Sequence, residues 1–189
     1  MKALLAGKRV LVLGMGEVAD VVAAALDGVG ATCGQAHAWD ETAPSADLDA
    51  VVHVGVAKAA APATALDLAG WRAAQSDDLD DRFFAATGFA RRCFAGKRGG
   101  SILMLSPAHG GAARASVNGA LDNLVKSLGA EWARDGVRTN AVITRRIKAD
   151  GTVDPGARRA LGALSAWLLS DYSSYVNGCV MGVDETETA

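Results

Sequence analysis

The stretch Gly100–Thr144, GSILMLSPAHGGAARASVNGALDNLVKSLGAEWARDGVRTNAVIT, reads as strand, turn, long helix and strand. Ile102–Leu105 is a short apolar run and Arg138–Ile143 a second. Between them Val117, Leu121, Leu124, Leu128 and Trp132 recur at three and four residues, which draws one apolar stripe along a helix. The helix is expected to end at Gly136, after Arg134 and Asp135. Strand, helix and strand in this order make a crossover unit, and crossover units build parallel sheets.

Working outward, Lys8–Gly14 (KRVLVLG) is a continuous apolar run of the kind found in central parallel strands covered on both faces. Gly14-Met15-Gly16-Glu17-Val18-Ala19 follows it and opens an amphipathic run through Leu26. Gly-x-Gly-x-x-Ala between a strand and a helix is the context of the dinucleotide fingerprint. Gly14, Gly16 and Ala19 are therefore the candidate cofactor-binding positions, in vestigial form, against a purely structural strand-to-helix turn. Glu17 complements the helix dipole but repels a pyrophosphate, and no basic residue in the loop offsets it. Ala31–Ala36 and Ala50–Val54 are the next two strands, with Asp40 the one acid placed for a ribose and otherwise a loop carboxylate. Only about a dozen residues separate these strands, which leaves no room for a further strand-helix pair, since a crossover alone takes roughly 10 to 12 residues. Ala59–Ala69 is alanine-rich, with a boundary at Pro62. Trp71–Phe94 is read as a long helix marked by Trp71, Ala74, Leu79, Phe83, Ala86, Ala90 and Phe94, and Asp78, within SDDLDDRF, as part of a solvated acidic face. Ala157–Leu169 is a last helix and Cys179–Val183 a last strand, before an acidic tail, DETETA, expected to fray.

The composition fits one α/β domain over residues 1–189, half hydrophobic and a fifth charged, with a formal charge of -2. No basic run calls for nucleic acid or a membrane surface. Cys33, Cys93 and Cys179 share no ligand spacing, nor do His37, His53 and His109, so no metal site is expected and the cysteines read as buried free thiols. The start, MKALLAGKRV, has too short an apolar run for a signal peptide, and no stretch is long enough for a membrane span, so a cytoplasmic location is expected.

Several of these residues carry a resemblance. Ala115-Ser116, Ala120-Leu121, Lys126-Ser127-Leu128, Arg138-Thr139-Asn140-Ala141-Val142 and the closing Ser174-Tyr175-Val176-Asn177-Gly178 resemble the short-chain dehydrogenase/reductase family. The resemblance implies a three-layer Rossmann-like domain. The family's third strand has no room, so its order 3-2-1-4-5-6-7 becomes 2-1-4-5-6-7, a flavodoxin-like connectivity. At the family's catalytic tyrosine stands Ala113, at its lysine Val117, and at its asparagine Asp78. Ser106 or Pro107 falls at the catalytic serine, and His109 beside it is a conceivable substitute acid, although no third residue orients the pair and no basic residue replaces the lysine. The long lid of the family shrinks to about a dozen residues after Thr144-Arg145.

No catalytic residue is therefore expected. The pattern resembles the inactive subunits of heteromeric short-chain dehydrogenases and the flavodoxin-like N-terminal domain of high-molecular-weight bacterial 3-oxoacyl-acyl-carrier-protein reductases. It implies a non-catalytic subunit that binds no cofactor tightly and stabilises an active, NAD(P)-carrying paralogue acting on a hydroxyacyl or ketoacyl thioester. Contact with that paralogue, or self-association, would run through residues 71–94 and 115–134, where Phe83, Phe84, Phe89 and Trp132 exceed what one buried face needs. The alternatives are a divergent NAD(P)-dependent oxidoreductase and a ligand-binding regulatory module using the crevice beside Gly14 and Val54.

Overall fold

The apolar runs sort into six strands: β1 (Arg9–Leu13), β2 (Thr32–Ala36), β3 (Ala50–Val54), β4 (Gly100–Pro107), β5 (Val137–Thr144) and β6 (Val180–Met181). They form one sheet in the order β2-β1-β3-β4-β5-β6, parallel throughout. This computed structural model describes residues 3–42, 47–55 and 61–184, without the side chain of Asp77. Val56, Ala59, Ala60 and the tail beyond Asp184 lie outside the described residues. Among the described residues of 37–49 there is neither strand nor helix, so β2 is followed in the sheet by β1 and then β3 without the third strand of a longer fold. All five residues of β3 are buried, because helices cover the sheet on both faces.

One face carries α1 (Glu17–Asp27) and α4 (Arg158–Leu169). Val18, Val22, Leu26, Leu161 and Leu168 pack there on Val10, Val12, Val52, Leu103 and Val142. The other face carries α2 (Leu68–Ala95) and α3 (Gly111–Trp132), where Phe89, Leu121, Val125, Leu128 and Trp132 pack on Leu13, Val51, Ile102, Met104 and Ala141. The stripe read along α3 holds, with Val125 joining it and Leu124 only partly buried.

The inward face of α2 differs from its reading in the sequence. Asp78, Arg82, Ala85, Ala86, Phe89, Ala90 and Cys93 are buried, whereas Phe83 is 42% and Phe84 60% exposed. The apolar spacing misplaced the stripe because two of the inward positions are charged. Phe89 and Trp132, read as surplus apolar surface, belong to the core. Cys93 is buried but Cys33 and Cys179 are half-buried; all three are free thiols.

The chain closes through polar side chains that bind the backbone. The Arg138 guanidinium donates to the carbonyls of Leu168, Ser170, Ser173 and Val176. Asn177 accepts from the Thr139 amide at 2.9 Å and donates to the Gly129 carbonyl at 2.8 Å. This explains why the β5 sequence and the Val176-Asn177-Gly178 ending occur together. Among the described residues no helix is long and apolar enough to cross a membrane.

The phase of α2 is open to a direct check by urea denaturation. Phe89→Ala should cost about 3–5 kcal/mol by opening the core, while Phe83→Ala should stay within about 0.5 kcal/mol, as for an exposed position.

Candidate functional site

In open parallel sheets ligands bind beyond the carboxyl ends of the strands. At that edge the positions matched to the tyrosine and lysine offer no proton: Ala113 is half-buried and Val117 buried. The neighbouring positions carry charge instead. Asp78, Arg82 and Arg114 are 3%, 0% and 7% exposed. Arg82 grips the Asp78 carboxylate side-on, Nε to Oδ1 at 3.1 Å and Nη2 to Oδ2 at 3.3 Å, and Nη2 also donates to the Leu105 carbonyl at 2.9 Å. Arg114 Nη1 pairs with the same Asp78 Oδ2. Asp78 is thus no solvated face; it is the shared anion of a buried cluster that joins α2, α3 and β4.

The surroundings are built for this cluster. A Cβ on Gly55, just after β3, would lie 1.9 Å from Arg82 Nη2, so the guanidinium occupies the space that any other residue there would need. Arg114 stands in the first turn of α3, where a cation opposes the helix dipole, and the Asp78 carboxylate offsets that. Burial opposes ionisation of Asp78, but the two guanidinium groups outweigh it and hold its carboxyl below the ordinary value. Two arginines thus stand close to these positions, not in place of the lysine but as partners of an internal carboxylate. Arg82 Nη1 is left without a hydrogen bond.

Ser106 and His109 do not come together. Ser106 Oγ donates to Asn118 Oδ1 at 2.7 Å, and Asn118 Nδ2 donates to the Pro107 carbonyl at 3.0 Å. His109 Nε2 lies 2.9 Å from the Arg145 carbonyl. Asp40 is a loop carboxylate that accepts from the Thr42 amide and hydroxyl.

Beyond β1 and β3 lies a crevice of about 410 Å³, lined among others by Gly14, Gly16, Glu17, His53, Asp81 and Asp150. Gly14 has φ of +122°, and a Cβ there would stand 3.0 Å from that of Val54, so its smallness serves the approach of loop to strand. Gly16 has φ of +92° and precedes α1, and Ala19 is buried in the core. Glu17, with no basic residue in its own loop to offset it, pairs instead with Arg158 of α4, and it also accepts from the Val153 amide at 3.3 Å. The short segment after β5 thereby packs beside the crevice, with Ile147 and Val153 bridged and buried. Asp184, read as part of a frayed tail, is anchored by the Thr144 hydroxyl and the Arg145 amide. His53 is 8% exposed, and its Nδ1 has no hydrogen-bond partner. Burial, supported by the Arg82 charge, pushes its imidazole down to about 3.

No protein-family model matches the chain. It is 27% identical over 164 residues to a Bacillus subtilis (strain 168) protein named "Probable 2,4-dienoyl-CoA reductase [(2E)-enoyl-CoA-producing]", covering 72% of this chain and 65% of that relative. The chain thus spans just under two thirds of the relative's length. Among solved structures, a short-chain type dehydrogenase/reductase from Mycobacterium marinum superposes with a TM-score of 0.81 at 19% identity, over 98% of this chain and 96% of that one. An enoyl-(acyl-carrier-protein) reductase from Anaplasma phagocytophilum, in complex with NAD, does so with a TM-score of 0.76 at 17% identity, over 97% and 95%. The structural likenesses show the fold. The chain is also 28% identical over 176 residues to a Cereibacter sphaeroides protein named "Galactitol 2-dehydrogenase (L-tagatose-forming)", covering 76% of this chain and 69% of that relative.

The buried charges predict the dependence of stability on pH. Unfolded His53 takes a proton below its ordinary 6.5, while the folded imidazole stays neutral to about 3. Stability should therefore fall as the pH drops through that window, by up to about 1.4 kcal/mol per unit, and His53→Leu should flatten the slope. The Asp78 contribution has a depressed carboxyl and is lost only at lower pH, below the ordinary 3.8. At pH 7, Asp78→Ala should cost about 3–5 kcal/mol by stranding two buried guanidinium groups. Urea titrations from pH 7 to 4 check both.

Proposed function

We propose that the chain is a non-catalytic subunit of a short-chain dehydrogenase assembly, which stabilises an active paralogue carrying the NAD(P) and acting on a hydroxyacyl or ketoacyl thioester. The observation that carries this is the Asp78–Arg82–Arg114 cluster in the place of a proton relay. General acid catalysis needs a group that gives up a proton near the operating pH, and a guanidinium does not. The thioester class rests on the resemblance to 3-oxoacyl-acyl-carrier-protein reductases and on the name of the Bacillus subtilis relative.

The outer faces of α2 and α3 support assembly. Leu79, Phe83, Ala120 and Leu124 line a groove of about 510 Å³ between them, and Phe84 stands exposed beside it. Apolar surface gathered in one place is what an interface covers. The cofactor turn supports the same reading, since Glu17, tied to Arg158 and the Val153 amide, occupies the first turn of α1 where a pyrophosphate would dock. Glu17 in that place does not fit a pyrophosphate. One observation favours a second reading, a divergent oxidoreductase binding its own nucleotide: the Gly14-Met15-Gly16 turn keeps its backbone form, and the Anaplasma enzyme of like fold holds NAD.

Light scattering behind size exclusion, with the chain alone and co-expressed with an active paralogue, tests the assignment. The chain should associate, and Phe83→Asp with Phe84→Asp should disperse the complex and lower the partner's activity without lowering the melting temperature of the free chain. A monomer at high concentration, unchanged by the partner, would count against it. Calorimetric binding of NAD(P)H by the chain alone with a micromolar Kd, about -8 kcal/mol, would favour the second reading.

A further inference from the structure

Glu17 opens α1, and its carboxylate is held from the far end of the chain. Oε1 accepts from the Val153 amide at 3.3 Å and pairs with Arg158 Nη2. These two donors lie 136 and 141 positions from Glu17, in the segment after β5 and at the start of α4. A backbone amide and a guanidinium that converge on one oxygen form a receptor for an oxyanion, whether carboxylate or phosphate. Here the chain fills the receptor itself. Glu17 also forms part of the wall of the crevice beyond β1 and β3, whereas neither Val153 nor Arg158 lines it. The carboxylate therefore stands between the crevice and the two donors.

We propose that Glu17 is an internal substitute for a ligand's phosphate, which occupies the receptor made by Arg158 and the Val153 amide and so closes the crevice to phosphorylated nucleotides. The rest of the turn does not bar them. Nothing lies within 4 Å of the place a Cβ on Gly16 would take, and the volume of about 410 Å³ is in the usual range for small-molecule sites. Glu17 acts in two ways, by filling the place of the anion and by repelling it. Shortening the side chain removes both and leaves the guanidinium without its carboxylate. Glu17→Gln removes only the charge, since an amide of the same length still has an oxygen for the two donors. Asp81 and Asp150 stay on the crevice walls in either variant, so the expected effect is a gain over the wild-type chain and not tight binding. The inference rests on the reading that the chain carries no nucleotide of its own, and it adds the contact responsible.

Calorimetry on the full chain at low salt tests this, with ADP as the probe and adenosine as the same nucleoside without phosphate. Glu17→Ser should bind ADP at least about tenfold tighter than the wild-type chain, as expected for one new charge-assisted contact, and adenosine no tighter. Glu17→Gln should gain far less. Adding Arg158→Ala to Glu17→Ser should abolish the gain, and melting curves show that each variant is folded. In nitrogen-15 amide spectra, ADP should move the Val153 resonance of Glu17→Ser and leave that of the wild-type chain in place. No gain in folded Glu17→Ser, a gain that survives Arg158→Ala, an equal gain for adenosine, or a still Val153 resonance would each overturn the proposal. Association through α2 and α3 is read separately by light scattering, so any of these results leaves the subunit assignment standing, whereas tight NADPH binding by the wild-type chain would count against both.

Discussion

A carboxylate removed from water between two guanidinium groups is the constraint around which this domain is arranged. Taking such charges into the interior is costly, and attraction repays the cost only when the geometry is close and the remaining donors are occupied. Arg82 meets most of the condition by side-on pairing with Asp78 and a third bond to the Leu105 carbonyl, only its Nη1 staying without a hydrogen bond, and Arg114 completes the anion's shell from the neighbouring helix. The cluster thereby fixes α2 against α3 and both against the end of β4. It also accounts for the glycine at position 55, where no side chain has room.

The same cluster bears on chemistry. Proton transfer asks for groups that change charge near neutral pH and reach a substrate; Asp78 is held ionised and buried, and Val117, at the position matched to the lysine, is apolar. Because Asp78 and Arg82 take inward positions of α2, Phe83 and Phe84 turn outward, so a single choice of residues both buries the charged cluster and leaves two phenylalanines exposed.

Much of the fold was legible in the residues. Val10–Leu13 of β1, Ala50–Val52 of β3, Ile102–Leu105 of β4 and Ala141–Ile143 of β5 are apolar runs because both sheet faces are covered, and the short 37–49 connection by itself excluded another crossover. The phase of α2 was not legible: apolar periodicity finds a buried face only when that face is apolar, and here Asp78 and Arg82 lie on it. The partners of Glu17 and Asp78 were hidden for another reason. Arg158 lies 141 positions from Glu17, and Arg114 lies 36 from Asp78, and no local spacing signals such pairs. An arginine directly after Ala113, in the first turn of a helix where a cation is unfavourable, was the one clue that an internal anion awaited it.

The central proposal is that a structural ion cluster stands where the resemblance places a reaction centre, beyond the change of two side chains. Restoring the pair with Ala113→Tyr and Val117→Lys, and assaying the purified, folded variant with a ketoacyl thioester and NADPH, tests this most directly. The account predicts no turnover above background, because catalytic groups act only when cofactor and substrate are positioned for them. Measurable reduction of the thioester by that variant would contradict it.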